Sequence, residues 1–212
     1  MSDLTHLSLF TGIGGIDLAA EWAGFRTVAQ VEQDAFCQQV LAKHWPGVPR
    51  FDDVRAVTTD TLRDAGIERP TLVSGGFPCQ PFSVAGERRG AEDDRFLWPE
   101  MLRIVQELRP AWVVGENVAG IISMALDDCI ADLERIGYTC RAFAVPAAGV
   151  GAPHQRESVH CGQRQQRARR GNLCDPSVRR RKRWIMGSCS TPRCSTLFSR
   201  NRRGCGQRRQ AL

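Results

Sequence analysis

Short apolar runs alternate with amphipathic stretches through the first 150 residues, at a spacing that predicts a parallel α/β sheet. His6-Leu7-Ser8-Leu9-Phe10 reads as a strand that enters a glycine-rich turn, Thr11-Gly12-Ile13-Gly14-Gly15. A helix follows from Ile16 to Ala23, closed by Gly24. Thr27 to Val31 is the next strand, and Asp34 caps a helix through Trp45, where Pro46-Gly47 stops it. A short third strand precedes Asp53, and Pro70 to Ser74 is a buried strand. Asp94 to Leu108 is an amphipathic helix ended by Pro110, and Ala111 to Gly115 is a strand running into Glu116. Ser123 to Ile136 is a helix closed by Gly137, and Thr139 to Val145 a strand. The expected fold is a Rossmann-like α/β sheet with helices on both faces.

After Pro153 the pattern is lost. Residues 158–212 show neither a period of 2 nor one of 3.6, and Val159-His160-Cys161-Gly162-Gln163 does not read as a core strand. Charge changes at the same place. Residues 1–156 hold 14 basic against 21 acidic side chains, a balance of −7, whereas 157–212 hold 15 against 2, a balance of +13. Such a basic, Cys- and Arg-rich tail is expected to be disordered, because it buries too little apolar surface to offset ordering entropy. The two-part reading is therefore a partial catalytic domain over 1–157 and a tail over 158–212. No apolar run is long enough for a membrane span, and Met1-Ser2-Asp3 lacks the basic and apolar start of an export signal. Nine cysteines without such a signal argue for reduced thiols in the cytoplasm. None of their spacings suits a zinc site, so no metal is expected.

The chemistry concentrates at strand ends. In Phe10 to Gly15 the glycines let a ligand approach the backbone and present amides at a helix start. Glu32 follows Gly12 by 20 residues at the end of the next strand, the spacing at which doubly wound folds bind ribose hydroxyls. A nucleoside-bearing cofactor fits that pair, and the lack of a Lys-Ser/Thr ending disfavours ATP. Asp53 is either an acceptor for an adenine amino group or a solvated loop acid. Cys79 lies in Gly75-Gly76-Phe77-Pro78-Cys79-Gln80-Pro81-Phe82-Ser83, held between two prolines after a strand, which suits a nucleophile better than a packing thiol. Glu116 ends an apolar strand at the same sheet edge, where it can hold or donate a proton, and Asn117 orients the loop by hydrogen bonds.

Phe-x-Gly-x-Gly-Gly at 10–15, Pro-Cys-Gln-Pro-Phe-Ser at 78–83 and Glu-Asn-Val at 116–118 resemble, in order and spacing, the C5-cytosine DNA methyltransferase family. Gly149 to Arg156 looks like that family's later arginine motif, and the resemblance covers residues 4–157. It implies S-adenosylmethionine as cofactor, with Phe10 on the adenine, Thr11, Gly12, Gly14 and Gly15 near the methionine part and Glu32 on the ribose. Asp53 and Val54 match adenine-contact positions; Pro78 and Leu97 match further cofactor-wall positions. Cys79 would add to carbon 6 of a cytosine rotated out of double-stranded DNA, Glu116 would bind ring nitrogen 3, and Arg156 would help keep the thiol ionised. Partners implied are DNA and a cognate restriction endonuclease, with the chain a monomer.

The chain departs from the family after Arg156-Glu157-Ser158, where a second arginine, an apolar strand, a target-recognition region and a closing helix are expected. A change of reading frame near Glu157 accounts for the switch in composition. On this reading the chain is truncated and binds S-adenosylmethionine weakly or not at all. The alternatives are an inactive fragment and a non-catalytic nucleic-acid-binding protein whose Arg179-Arg180-Arg181-Lys182-Arg183 run contacts phosphates. A hydrolase pairing Cys79 with a histidine finds no partner pattern among His6, His44, His154 and His160.

Overall fold

The computed structural model describes residues 4–78, 96–154 and 157–165, the last with backbone alone at 157 and 160–165. In chain order the elements are β1 (Thr5–Leu9), α1 (Gly15–Trp22), β2 (Arg26–Val31), α2 (Ala35–His44), β3 (Arg50–Phe51), α3 (Thr59–Asp64) and β4 (Leu72–Gly75). Then come α4 (Trp98–Leu108), β5 (Trp112–Val118), α5 (Ile121–Met124), α6 (Leu126–Arg135), β6 (Tyr138–Pro146) and β7 (Glu157–Gln165). Single 3₁₀ turns occupy Val54–Ala56 and Ala147–Val150.

One seven-stranded sheet has the order β3-β2-β1-β4-β5-β7-β6. Strands β3, β2, β1, β4 and β5 are mutually parallel, and β7 runs antiparallel to both of its neighbours. The order reverses between β1 and β4, so the loops leaving these two strands diverge and open a crevice at their carboxyl ends. Both the glycine-rich turn and the segment entering Cys79 leave from that crevice.

Period-2 alternation sorts β1 into two chemically different faces. Leu7 and Leu9 join Val31, Val73, Met101, Ile104 and Val113 in the main apolar core, whereas His6 and Ser8 point the other way and are equally buried. The polar face is satisfied internally except at Gln30 Oε1, which has no hydrogen-bond partner among the described residues. His6 pairs with Thr27 at 3.1 Å and Ser74 at 2.7 Å, while Ser8 Oγ donates to Asp17 Oδ2 at 2.8 Å and Gln30 Nε2 to Asp17 Oδ1 at 2.9 Å. Asp17 thereby pins the first turn of α1 to β1 and β2. Burial pushes its carboxyl above the ordinary range, against the opposing pull of those hydrogen bonds.

Three expectations need correction. The strand entering Glu116 does not stop at Gly115; β5 continues to Val118 because β7 pairs with it, Glu116 opposite His160 and Asn117 opposite Val159. The expected helix over 123–136 is two, broken at Ala125. Most importantly, residues 158–165 are not a tail: β7 lies between β5 and β6, bonded to both. Its ladders are main-chain contacts that need no apolar alternation, and of its described side chains Val159 alone reaches the core. The polarity of the other residues hid the strand.

Candidate active site at the carboxyl edge of the sheet

Phe10 leaves β1 with φ +53, a left-handed conformation that is an outlier for a bulky residue. Thr11 holds it there. Its amide donates to the Val31 carbonyl at 3.0 Å, and its hydroxyl contacts Ser8 O at 3.1 Å, Val31 O at 3.2 Å and the Val31 amide at 3.2 Å. Gly12 and Gly14 have φ of +58 and +92. Gly14 is also fixed by space, since a Cβ would stand 2.5 Å from the Trp45 ring. By contrast, open space lies where side chains on Gly12 and Gly15 would project. The turn is a cradle with its backbone free on one side.

Glu32 closes that turn from β2. Its Oε2 accepts from the Gly12 amide at 2.7 Å and its Oε1 from the Asp34 amide at 2.8 Å. The carboxylate is held rigidly and is half-buried, with one lone pair on each oxygen left for a diol. Asp53 is more exposed; its Oδ1 caps the 3₁₀ turn through the Arg55 amide at 2.9 Å, and Val54 beside it is buried. A rigid acid beside an open glycine cradle fits a cofactor carrying a ribose and a charged amino-acid end.

The acid and the cofactor turn meet on β4. Gly75 and Gly76 are bare, and adjacent strand residues project to opposite faces. A Cβ on Gly75 would stand 3.2 Å from the Phe10 ring, and one on Gly76 would stand 3.2 Å from Glu116 Oε2. Parallel register sets this up, with Gly75 opposite Gly115 and hence Gly76 beside Glu116. Asn117, buried on the same strand, donates from Nδ2 to Phe77 O at 2.9 Å and accepts from the Val118 amide at 3.0 Å. The chain is thus fixed one residue before Pro78, which is half-buried.

Cys79 lies outside the described residues, as does Arg156. The described ends of the segment that contains Cys79 meet: the Phe77 ring is 5.2 Å from Trp98 and 6.2 Å, edge-on, from Phe96. Leu97, between those two aromatics, stands at the N-cap of α4, half-buried. This aromatic anchor went unread in the sequence, although Phe77, Phe96 and Trp98 flank the motif on both sides. A cavity of ≈ 20 Å³ lies beneath Glu116 and Asn117, lined by Phe77, Met101, Cys129 and Val159. That is space for about one water.

The structure therefore brings together Phe10, Thr11, Gly12, Gly14, Gly15, Glu32, Pro78, Glu116 and Asn117 at neighbouring strand ends, with Asp53, Val54 and Leu97 on the two flanking elements. Sheet order and glycine cradle define a Rossmann-like fold of the kind used by S-adenosylmethionine-dependent methyltransferases. Two solved structures share it. A DNMT2 variant of Spodoptera frugiperda superposes with a TM-score of 0.65 at 23% identity, covering 87% of this chain and 55% of that one. A putative DNA modification methyltransferase encoded within a prophage of E. coli gives 0.65 at 25%, covering 77% and 47%.

The family description "C-5 cytosine-specific DNA methylase" matches residues 4–183, and the chain belongs to that family. The match extends past Glu157, where the resemblance read from motifs ended. The Type II methyltransferase M.AquIA of Picosynechococcus sp. is 37% identical over 170 residues, 72% of this chain and 68% of that protein. M.HhaI of Haemophilus parahaemolyticus is 32% identical over 165 residues, 76% of this chain and 49% of that protein. The chain thus spans about two thirds of one relative and about half of the other. Family membership makes it a member of an enzyme class whose methyl donor is S-adenosylmethionine.

Proposed function

We propose that the chain is the catalytic part of a DNA (cytosine-5-)-methyltransferase, acting on a cytosine rotated out of double-stranded DNA. The seating of the Phe10 ring against Gly75 and of the Glu116 carboxyl against Gly76 carries this reading, because it brings both groups to the carboxyl end of β4. Phe10, Asp53 and Val54 would line the adenine, Pro78 and Leu97 would form further cofactor wall, Glu32 would take the ribose hydroxyls, and the backbone of Thr11, Gly12, Gly14 and Gly15 would pass close to the amino-acid end. When bound, S-adenosylmethionine supplies an electrophilic methyl group.

The remaining work belongs to side chains. Cys79 as thiolate adds to carbon 6 of the ring while Glu116 gives a proton to nitrogen 3, which moves electron density onto carbon 5. After methyl transfer the carbon 5 proton is lost, nitrogen 3 returns its proton, and the sulfur leaves as thiolate. Arg156 would stand near the base and favour the ionised thiol. Asn117 holds the entry to the Cys79 segment through Phe77, so that sulfur and acid approach one ring. A cognate restriction endonuclease and a cytoplasmic setting fit the Type II names of the relatives, and the chain is read as a monomer.

Trapping on duplex DNA containing 5-fluorocytosine tests this, since fluorine blocks the final elimination. With S-adenosylmethionine present, the protein should form a denaturant-stable DNA adduct that Cys79→Ala abolishes. Gly76→Ala should slow its formation roughly tenfold, since displacing the acid by a few tenths of an ångström costs about 1.4 kcal/mol. An adduct that survives Cys79→Ala would overturn the assignment.

A further inference from the structure

Arg103, on α4, reaches away from its own helix to the loop that carries Asp53 and Val54. Its Nη2 donates to the Val54 carbonyl at 3.2 Å. Its other donors are engaged on α4 itself, Nε to Glu100 at 2.9 Å and Nη1 to Glu107 at 2.8 Å. All three side chains are about one-third exposed or less, at 29%, 27% and 35%. The two glutamates, one turn to either side, hold the planar guanidinium in a single orientation. Arg103 is therefore a pre-set donor fork, and the Val54 carbonyl is its one target outside α4 among the described residues.

We infer that Arg103 is a positioning residue for the nucleoside end of the cofactor, acting through the 3₁₀ turn Val54–Ala56. The inference rests on the cofactor reading above, in which Asp53 and Val54 contact the adenine and Leu97 forms a further part of the cofactor wall. Asp53 and Val54 sit on a turn of three residues with little regular structure of its own, whereas Leu97 caps α4. Arg103 joins the two parts of that wall across the gap between them. Without it the turn keeps the Asp53–Arg55 cap and the packing of Val54 in the core, but loses its hydrogen bond to α4.

Arg103→Met keeps the length of the stem and removes every donor; Arg103→Lys keeps the charge but not the fork. Hydrogen exchange on the full chain, without cofactor, should show residues 53–57 exchanging roughly tenfold faster in Arg103→Met, with β1 and β2 unchanged. Titration with S-adenosylmethionine should show a roughly tenfold weaker affinity, partly restored in Arg103→Lys, the loss expected when one charge-assisted hydrogen bond is removed. A purely structural role would speed exchange across the whole sheet. Unchanged exchange at 53–57, or faster exchange there with unchanged affinity, overturns the inference. Failure of the unsubstituted chain to bind S-adenosylmethionine strikes the cofactor reading itself, and the exchange result on the same samples tells the two failures apart.

Discussion

His6 is fully buried between Thr27 and Ser74, and burial lowers its pKa from 6.5 to about 4. It is neutral in the folded protein at neutral pH. As pH falls from about 6.5 to about 4, the unfolded chain takes up a proton that the folded chain refuses, so stability declines with acidification. At the acid end the loss approaches about 3 kcal/mol. Asp17, whose pKa is raised, acts in the opposite sense from 3.8 upward, favouring the folded state as pH falls. Comparing denaturant midpoints of the natural chain and His6→Gln between pH 6.5 and 4.5 isolates the histidine: the slope should flatten in the variant. At this scale the sequence was informative where a side chain has a dedicated chemical task. Glu32 stands directly after β2 as its spacing implies, Glu116 lies within β5 and not at its end, and Gly14 is fixed by both conformation and space. The buried Ser8–Asp17–Gln30 and Thr27–His6–Ser74 links were illegible, because polar residues in apolar runs look like interruptions until two faces are assigned.

Strands β1 and β2 and helices α1 and α2 lie within one or two residues of their expected limits, whereas α4 begins at Trp98, four residues after its expected start at Asp94. Asp34 caps α2 through the Cys37 amide at 2.8 Å, as its place before the helix implies. Elements set by long-range pairing were missed. Strand β7 is the clearest, with one described core residue, Val159, and its place decided by β5 and β6. That dependence makes Val159 a sensitive point. Val159→Ala removes two carbons beside a cavity it already lines, and should cost roughly 2–3 kcal/mol in urea denaturation. Ser158→Ala, half-buried on the same strand, should stay within about 0.5 kcal/mol. Equal effects would mean that the strand does not depend on Val159 as an apolar anchor. α3 was also unread, although Thr58 and Thr61 form a reciprocal capping box; its six residues are too short for a visible period.

Four large exposed apolar residues lie on the β1–α1 turn and on helices α1 and α2, which flank β2: Ile13, Leu18, Trp22 and Phe36 are 61%, 42%, 79% and 68% exposed. Leu18 and Trp22 are four apart, one stripe of α1. Exposed apolar side chains of this size promote association. The double substitution Trp22→Lys, Phe36→Lys should therefore lower self-association in sedimentation velocity at high protein concentration, with little change in helix content by circular dichroism. An unchanged sedimentation profile would show that this flank does not drive contact between chains.

The order of the last three strands bears on how the molecule is made. β6 leaves the ribosome before β7, yet it touches the rest of the sheet through β7, which must slide into a slot between two strands already synthesised. Until residue 165 has cleared the exit tunnel, the nascent chain therefore carries two unpaired edges with nothing to bond them. The strand bearing Glu116 is one of them, so its lateral edge is paired only after β7 has been made.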